Sequence, residues 1–174
     1  AEGSPTCNAP LAEGKGWMYE GGTREPLLVR WPGRVEAGTT CATPVTSPDF
    51  YPTLLEAAGA DPRPDQHCDG ESLMPLLRQE AGVPERPLFW HYPHYANQGG
   101  TPGSSVRLGD YKLIEFFEDS RVELYNLRED IGETHDLSEE QPERAARLQE
   151  ILADWRQRVE ANIPQPNPDW NEGE

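Results

Sequence analysis

A lysine between two glycines, in the segment Gly14-Lys15-Gly16, is the most unusual local pattern of the sequence. Glycine lets a backbone come close to a ligand or adopt a left-handed turn, and a lysine held in such a loop supplies a point charge for an oxyanion. The surrounding residues do not form a P-loop, since Gly-x-x-x-x-Gly-Lys-Ser/Thr is absent. Taken alone, the pattern is more simply explained as a surface lysine in a flexible glycine loop.

Two charged residues follow this lysine at helical spacing. Glu20 and Arg24 are four positions apart, a separation that lets their side chains meet across one helical turn. Their predicted role is structural, because a partly buried ion pair would hold the turn that precedes the next element of the chain.

A second group of polar residues lies among aromatic ones in residues 90–100. Aromatic faces stack on sugar rings, and histidine or asparagine side chains bind hydroxyl groups. His94, together with His91 and Asn97, is therefore a candidate substrate-binding residue for a carbohydrate. No carboxylate is close in sequence, so a metal site is disfavoured. The alternative is a packed loop in which the histidines already have protein partners.

Composition and charge restrict the classes of function. The 174 residues include 31 acidic and 15 basic side chains, which gives a formal net charge of −16. Such a chain is a poor candidate for nucleic-acid phosphates, and its short apolar runs predict no membrane span. No signal-peptide pattern is present. Residues 1–35 carry no net charge, so an anionic substrate would meet least repulsion there.

The cysteines leave two alternatives open. Cys7, Cys41 and Cys68 are widely spaced and include no Cys-x-x-Cys pair, so a zinc site is disfavoured. One disulfide plus a free thiol, or three buried thiols, would each fit the spacing.

The first part of the chain predicts a mixture of short elements. Residues 27–31 have the pattern of a buried strand bounded by prolines. Ser47 is the predicted cap of a helix with Phe50, Leu54 and Ala58 on its apolar face. A second short helix is expected over residues 72–78, and irregular structure over residues 82–104.

The last third predicts a small antiparallel sheet covered by a helix. The expected strands are Ser105–Leu108, Tyr111–Phe117 and Val122–Tyr125, and the middle one is apolar on both faces. Glu133 and Asp136 are interpreted as solvated charges or caps. Apolar residues at helical spacing predict the covering helix, namely Ala145, Leu148, Leu152, Trp155 and Val159. The helix is expected to begin either at a Ser138–Gln141 capping box or at Pro142.

Several longer motifs occur in order along nearly the whole chain: Gly14-Lys15-Gly16, Tyr19-Glu20-Gly21-Gly22-x-Arg24-x-Pro26, Val29-Arg30-Trp31-Pro32-Gly33, Asp69-Gly70-x-Ser72-Leu73, Gly109-Asp110-Tyr111-Lys112-Leu113 and Glu123-Leu124-Tyr125-Asn126-Leu127. In this order they resemble the C-terminal portion of the sulfatase family, the arylsulfatase-like members of the alkaline phosphatase superfamily. The resemblance implies an α/β fold that ends in a small antiparallel sheet packed against a C-terminal helix. It places residues 1–104 in the catalytic domain and residues 105–174 in a small C-terminal subdomain.

The resemblance also implies an activity, namely hydrolysis of sulfate esters of a sulfated carbohydrate or an aryl sulfate. In the family, a formylglycine made from cysteine or serine attacks sulfur, and a calcium ion binds the sulfate oxygens. Lys15 matches the lysine that contacts the sulfate. A periplasmic or extracellular location is implied as well.

The sequence departs from the family pattern in its nucleophile and metal ligands. None of the three cysteines lies in Cys-x-Pro/Ala-x-Arg, and no Asp-Asn pair occurs. We therefore expect an N-terminal sulfatase portion to supply the nucleophile and the calcium ligands, and this chain alone to be inactive.

Three alternatives to that interpretation remain. The parent could be a phosphonate or phosphodiester hydrolase of the same superfamily. The chain could be a non-catalytic glycan-binding module. It could also be one half of a split enzyme, which would leave a large exposed apolar face on residues 26–60.

Overall fold

The computed structural model describes residues 7–66, 69–80, 82–165 and 167–168. The chain forms two compact units, the first comprising Ala1–Glu25 with Arg86–Glu174 and the second Pro26–Glu85. Within the described residues the helices are α1 (Glu20–Thr23), α2 (Phe50–Ala57), α3 (Met74–Leu77) and α4 (Pro142–Arg158), and the strands are β1 (Leu88–Tyr92), β2 (Gly103–Leu108), β3 (Tyr111–Phe116) and β4 (Val122–Asn126).

The strands form one antiparallel sheet in the first unit, in the order β1-β2-β3-β4. Val106 lies opposite Leu113, and Leu113 lies opposite Leu124, so one apolar row crosses three strands. The three strands predicted from the sequence are present, with ends that differ by one or two residues. The predicted antiparallel sheet is therefore confirmed.

Strand β1 was not expected, because the prolines and glycines around it indicated irregular structure. This strand is rich in aromatic residues, Phe89, Trp90 and Tyr92, a composition that suits a half-buried strand. It pairs with β2. The boundary expected between residues 104 and 105 falls inside β2, within the first unit.

The sheet buries both of its faces, as the apolar pattern of β3 predicted. On one face Val106, Leu113 and Leu124 pack with helix α4. On the other face Ile114 and Phe116 pack with Met18, which follows the lysine-containing loop. Because successive strand residues point to opposite faces, β3 contributes to both cores.

Helix α4 covers the sheet with the predicted apolar stripe. Ala145, Leu148 and Leu152 are buried, whereas Val159, just beyond the helix, is 44% exposed. Trp155 stacks on Phe89 of β1 with ring centroids 4.7 Å apart. The helix begins at Pro142 and not at a capping box, because the Ser138 hydroxyl donates to Asp136. No helix in the described ranges is both long and apolar enough to cross a membrane.

The second unit is organised around a buried carboxylate. Asp49 accepts hydrogen bonds from the backbone N–H of Thr46 at 2.7 Å and of Glu71 at 2.9 Å. The cap of this helical segment is thus a Thr46–Asp49 capping box, and the predicted role of Ser47 is wrong. Helix α3 forms within the predicted range as a single turn.

The strand and the buried helix face predicted for this unit are not formed. Residues 27–31 are irregular, and Leu28 is 91% exposed. On α2, Phe50 is 41% and Leu54 65% exposed. Within the described part of this unit no strand lies beside residues 27–31, so their backbone groups lack the ladder that a strand needs.

Candidate functional site

Lys15 is exposed on a loop of the first unit, residues 12–17, which we call the lysine loop. This loop lies directly on helix α1. The Gly21 N–H donates to the carbonyl oxygen of Ala12 at 2.8 Å. A Cβ atom on Gly21 would collide with that oxygen, and one on Gly22 would collide with the carbonyl oxygen of Trp17. The two adjacent glycines are therefore what allows the lysine loop to approach α1.

The loop between β1 and β2, residues 93–102, packs against the lysine loop. The Trp17 indole N–H donates to the carbonyl oxygen of Gln98 at 3.2 Å. A Cβ atom on Gly16 would lie 2.8 Å from the Cβ of Ala96, and one on Gly100 would collide with the Gly16 carbonyl oxygen. The structure thus brings together the two segments that the sequence singled out.

Two of the predicted substrate-binding residues lie exposed in the β1–β2 loop. The His94 ring packs edge-on against Tyr92, with centroids 5.4 Å apart. Asn97 lies one residue from Ala96, which contacts the lysine loop. Their geometry is compatible with a site shared with Lys15, and their role in binding stays a prediction.

His91, in contrast, has the packed geometry of the alternative interpretation. Its Nδ1 lies 2.7 Å from the Ser104 hydroxyl and its Nε2 lies 2.9 Å from the carbonyl oxygen of Asn162. The ring also packs against Phe117 and Trp155. Since both nitrogens are engaged, His91 links two strands to Asn162, four residues beyond the end of the last helix. It offers no nitrogen to a substrate in this structure.

A buried ion cluster fixes α1 to the sheet. Lys112 Nζ lies 3.0 Å from Glu20 Oε1 and 3.1 Å from Glu133 Oε1, and all three side chains are at most 2% exposed. The other oxygen of Glu133 accepts a hydrogen bond from the Glu20 backbone N–H at 2.6 Å. The lysine loop therefore rests on a helical turn that charge pairing attaches to β3.

The predicted pair of Glu20 and Arg24 forms, with Arg24 Nη1 3.4 Å from Glu20 Oε2. Arg107 Nη1 lies 3.6 Å from the same oxygen. The interpretation of Glu133 as a solvated charge is wrong, because its side chain is fully buried. One signal could have indicated the cluster: Lys112, one of only two lysines, is the second residue of a predominantly apolar strand.

Glu133 should give the stability of the chain a distinct pH dependence. Burial raises the pKa of its carboxyl above the ordinary value of 4.5, although the Lys112 ammonium opposes this rise. The folded state then binds the proton more tightly than the unfolded state. The free energy of unfolding should consequently decrease as pH rises through a window that begins near 4.5.

Unfolding measured from about pH 4 to about pH 7 in wild type and in Glu133→Gln tests this. The stability of the wild type relative to the variant should fall over that range. If the free energy of unfolding of the wild type minus that of the variant stays constant or increases with pH, the raised pKa of Glu133 is contradicted.

Comparison with known proteins identifies the family of the chain. Residues 13–162 match the family described as N-sulphoglucosamine sulphohydrolase, C-terminal. The chain belongs to the sulfatase family. Its described fold, a small four-stranded antiparallel sheet with a C-terminal helix, agrees with this assignment.

The chain is also similar to individual proteins, one of which is named a sulfatase. A sulfatase of Formosa agariphila is 44% identical to this sulfatase chain over 148 residues, 79% of the chain and 27% of that protein. The crystal structure of Ps i-CgsB in complex with k-i-k-neocarrahexaose has a TM-score of 0.74 and 30% identity, over 86% of the chain and 32% of that protein. The phosphonate monoester hydrolase SpPMH from Silicibacter pomeroyi has a TM-score of 0.55 and 25% identity, over 74% of the chain and 28% of that protein.

This sulfatase chain therefore spans between 27% and 32% of the length of these relatives. It corresponds to their C-terminal end.

The described residues of the sulfatase chain do not fit the calcium site that the family implies. In residues 7–66, 69–80 and 82–165, no three histidine, cysteine, aspartate or glutamate side chains converge as metal ligands would.

Cys7 and Cys41 are exposed free thiols, so the alternative of three buried thiols is wrong for these two. Cys68 and His67 lie outside the described residues.

Gly100→Ala should disrupt the contact between the lysine loop and the β1–β2 loop of the sulfatase chain. The added methyl would overlap the Gly16 carbonyl oxygen, a backbone atom that cannot move without shifting the loop. We expect a loss of about 1–3 kcal/mol in the free energy of unfolding. The matched control is Gly82→Ala, whose Cβ would meet no atom closer than Leu76 Cδ2 at 4.0 Å. Equal stability of the two variants in denaturant titrations would contradict the close packing.

Proposed function

We propose that this chain contributes Lys15 to the active site of a sulfatase that hydrolyses sulfate esters. The observation that carries the proposal is the fixed position of the lysine loop. It is held by α1 on one side and by the β1–β2 loop on the other. Transfer of a sulfuryl group spreads negative charge over its oxygens, and a prepositioned ammonium stabilises that charge without having to reorganise.

Lys15 would act by electrostatics and positioning. Its Nζ would hold a sulfate oxygen, or the bridging oxygen of the departing alcohol, as charge develops there. The formylglycine and the calcium ion expected from the family would be supplied by residues outside this chain. The role given to Lys15 requires only its charge and its place on the lysine loop.

The proposed substrate is a sulfated carbohydrate or an aryl sulfate. Exposed His94 and Asn97 on the loop beside Lys15 support a carbohydrate, since both residues suit sugar hydroxyls. The similar protein Ps i-CgsB, solved in complex with k-i-k-neocarrahexaose, supports the same substrate class. A periplasmic or extracellular location would fit such a substrate.

The proposed partner is the N-terminal portion of the sulfatase. The second unit exposes large apolar side chains that a stable surface would normally cover, namely Leu27, Leu28, Val29, Phe50 and Leu54. Because this chain spans about a quarter of the length of the related sulfatase, ample protein is available to cover them. Pairing of residues 27–31 as a strand with that portion would also satisfy their backbone groups.

The test is hydrolysis of 4-nitrophenyl sulfate by this chain alone and by the same chain joined to a sulfatase N-terminal portion. The joined protein should release nitrophenol, and the chain alone should not. Turnover by the isolated chain, or none by the joined protein on any sulfate ester, would overturn the proposal.

A phosphonate monoester hydrolase is the second candidate, supported by the similarity to SpPMH. The joined protein should then cleave phenyl phenylphosphonate with a higher kcat/KM than 4-nitrophenyl sulfate. A third candidate, the non-catalytic glycan-binding module, would bind sulfated glycans without calcium and hydrolyse neither ester.

His94→Ala provides a test of the carbohydrate side of the proposal. In the joined protein the variant should raise KM or lower kcat/KM about tenfold for a sulfated oligosaccharide, through the loss of one hydrogen bond in the site. His91→Ala should instead lower the melting temperature, because both nitrogens of that ring bind protein groups. Unchanged kcat/KM in the His94 variant would remove it from the site.

A further inference from the structure

The β1–β2 loop presents an aromatic ring that the proposed function does not use. Tyr95 is 67% exposed, so most of its ring is open to solvent. Its hydroxyl donates to Glu118 Oε1 at 3.2 Å, which ties down the polar end of the side chain. The ring is therefore exposed but anchored.

The backbone beneath this ring is closely constrained. The Ala96 N–H donates to the Gly100 carbonyl oxygen at 2.8 Å, and the Gly99 N–H donates to the Ala96 carbonyl oxygen at 3.0 Å. Gly99 has a φ of +107°, and a Cβ atom there would lie 2.8 Å from the Trp17 ring. This close fit fixes the loop against the residues that carry Lys15.

The backbone positions that carry the ring and the lysine are also near each other. Because Gly16 and Ala96 are in contact and each is adjacent to one of them in sequence, the α carbons of Lys15 and Tyr95 lie within about 14 Å. An oligosaccharide with a sulfate at Lys15 would bring a neighbouring sugar ring into reach of Tyr95.

We propose that Tyr95 is a stacking platform for a sugar ring adjacent to the sulfated one. The inference rests on the proposed function, in that the sulfate is placed at Lys15. A sugar ring has an apolar face of C–H groups that packs on a flat aromatic ring while its hydroxyls stay in water. An anchored ring loses little conformational entropy on binding, and a neutral ring does not repel a polyanion. Tyr95 would thus select sulfated oligosaccharides over small aryl sulfates.

The experiment compares Tyr95→Leu with Tyr95→Phe in the chain. Leucine keeps apolar bulk but has no flat face, whereas phenylalanine keeps the ring and loses only the bond to Glu118. Binding is measured by calorimetry with three probes: heparin, chondroitin sulfate and carrageenan hexasaccharides. Wild type should bind at least one of them, and the Leu variant should bind about three- to tenfold more weakly. The Phe variant should bind only slightly more weakly than wild type, because it keeps the ring and loses the anchor to Glu118.

Equal affinities of the Leu and Phe variants, or no binding of any probe by wild type, would overturn the proposal. Turnover of 4-nitrophenyl sulfate by the joined protein separates this failure from failure of the proposed function. That ester has no second sugar ring, so its turnover by wild type reports on the sulfate site and not on Tyr95. If wild type does not hydrolyse it or any other sulfate ester, the proposed function fails irrespective of Tyr95.

Discussion

Replacing Lys112 by methionine is expected to lower the free energy of unfolding by about 3–5 kcal/mol. The lysine is fully buried and is shared by the carboxylates of Glu20 and Glu133, at 3.0 and 3.1 Å. Methionine has a similar length but no charge, so Glu133 would stay buried without its cation. Glu20 would keep only the two arginines at its other oxygen, Arg24 and Arg107. Urea titration followed by tryptophan fluorescence measures the loss.

An exposed ion pair supplies the matched control for this variant. Arg128 lies 3.4 Å from Asp110, and the two side chains are 73% and 49% exposed. Arg128→Met should cost no more than about 1 kcal/mol, because water solvates the remaining carboxylate. Adding Glu133→Gln to Lys112→Met should recover part of the lost stability. A Lys112 variant no less stable than the Arg128 variant would show that the buried cluster contributes little.

Replacing Lys15 by alanine is expected to reduce kcat of the joined sulfatase about 10²–10³-fold. The loop keeps its backbone contacts in this variant, so the loss would reflect the missing charge and not a displaced loop. Lys15→Arg should recover activity only partly, because the planar guanidinium presents its donors differently from an ammonium. Turnover of 4-nitrophenyl sulfate gives the rates.

Stability provides the control for the Lys15 variant. Lys15 is exposed in this chain, so its alanine variant should unfold within about 0.5 kcal/mol of wild type. Arg24→Ala, a change of a neighbouring half-exposed cation that pairs with Glu20, should reduce kcat far less. If kcat in Lys15→Ala stays within a few-fold of wild type, the lysine does not contact the reacting group.

The parts of the fold that local patterns determine were predictable from sequence. Helix α4 follows from spacing alone, since Leu148 and Leu152 recur on one face and meet the sheet. Strand β3 follows from an apolar run bounded by turns, and its Leu113 and Ile114 enter opposite cores. Strand β1 was missed because its aromatic residues lie between prolines and glycines, and its pairing with β2 is a tertiary effect.

Residues 27–31 illustrate the opposite error. Their apolar run predicts a buried strand, yet Leu28 is 91% exposed in this chain. An apolar run records that a segment is suited to burial, but it does not identify what buries it. A strand also requires hydrogen-bonding neighbours, which a local pattern does not contain.

The candidate site was predictable only in part, because contacts between residues distant in sequence leave no local pattern. Glycine spacing and clustered aromatics identified the lysine loop and the β1–β2 loop, but not that they touch. The partners of Glu20 in the ion cluster are 92 and 113 positions away, at Lys112 and Glu133. Sequence separations of that size leave no periodic signal, so Glu133 near a helix start resembled an ordinary solvated acid.

The same separations have a consequence for the order of events during synthesis. A ribosome makes Lys15 long before it makes the residues that hold the lysine loop and α1 in place. Gln98 must be synthesised before its carbonyl oxygen can accept the hydrogen bond from the Trp17 indole. Glu133 must be synthesised before its carboxylate can accept the hydrogen bond from the Glu20 backbone N–H. A nascent chain arrested before residue 133 would carry the lysine without its anchored turn. The contacts that hold the lysine loop and α1 would therefore be completed only after the residues of all four strands have been synthesised.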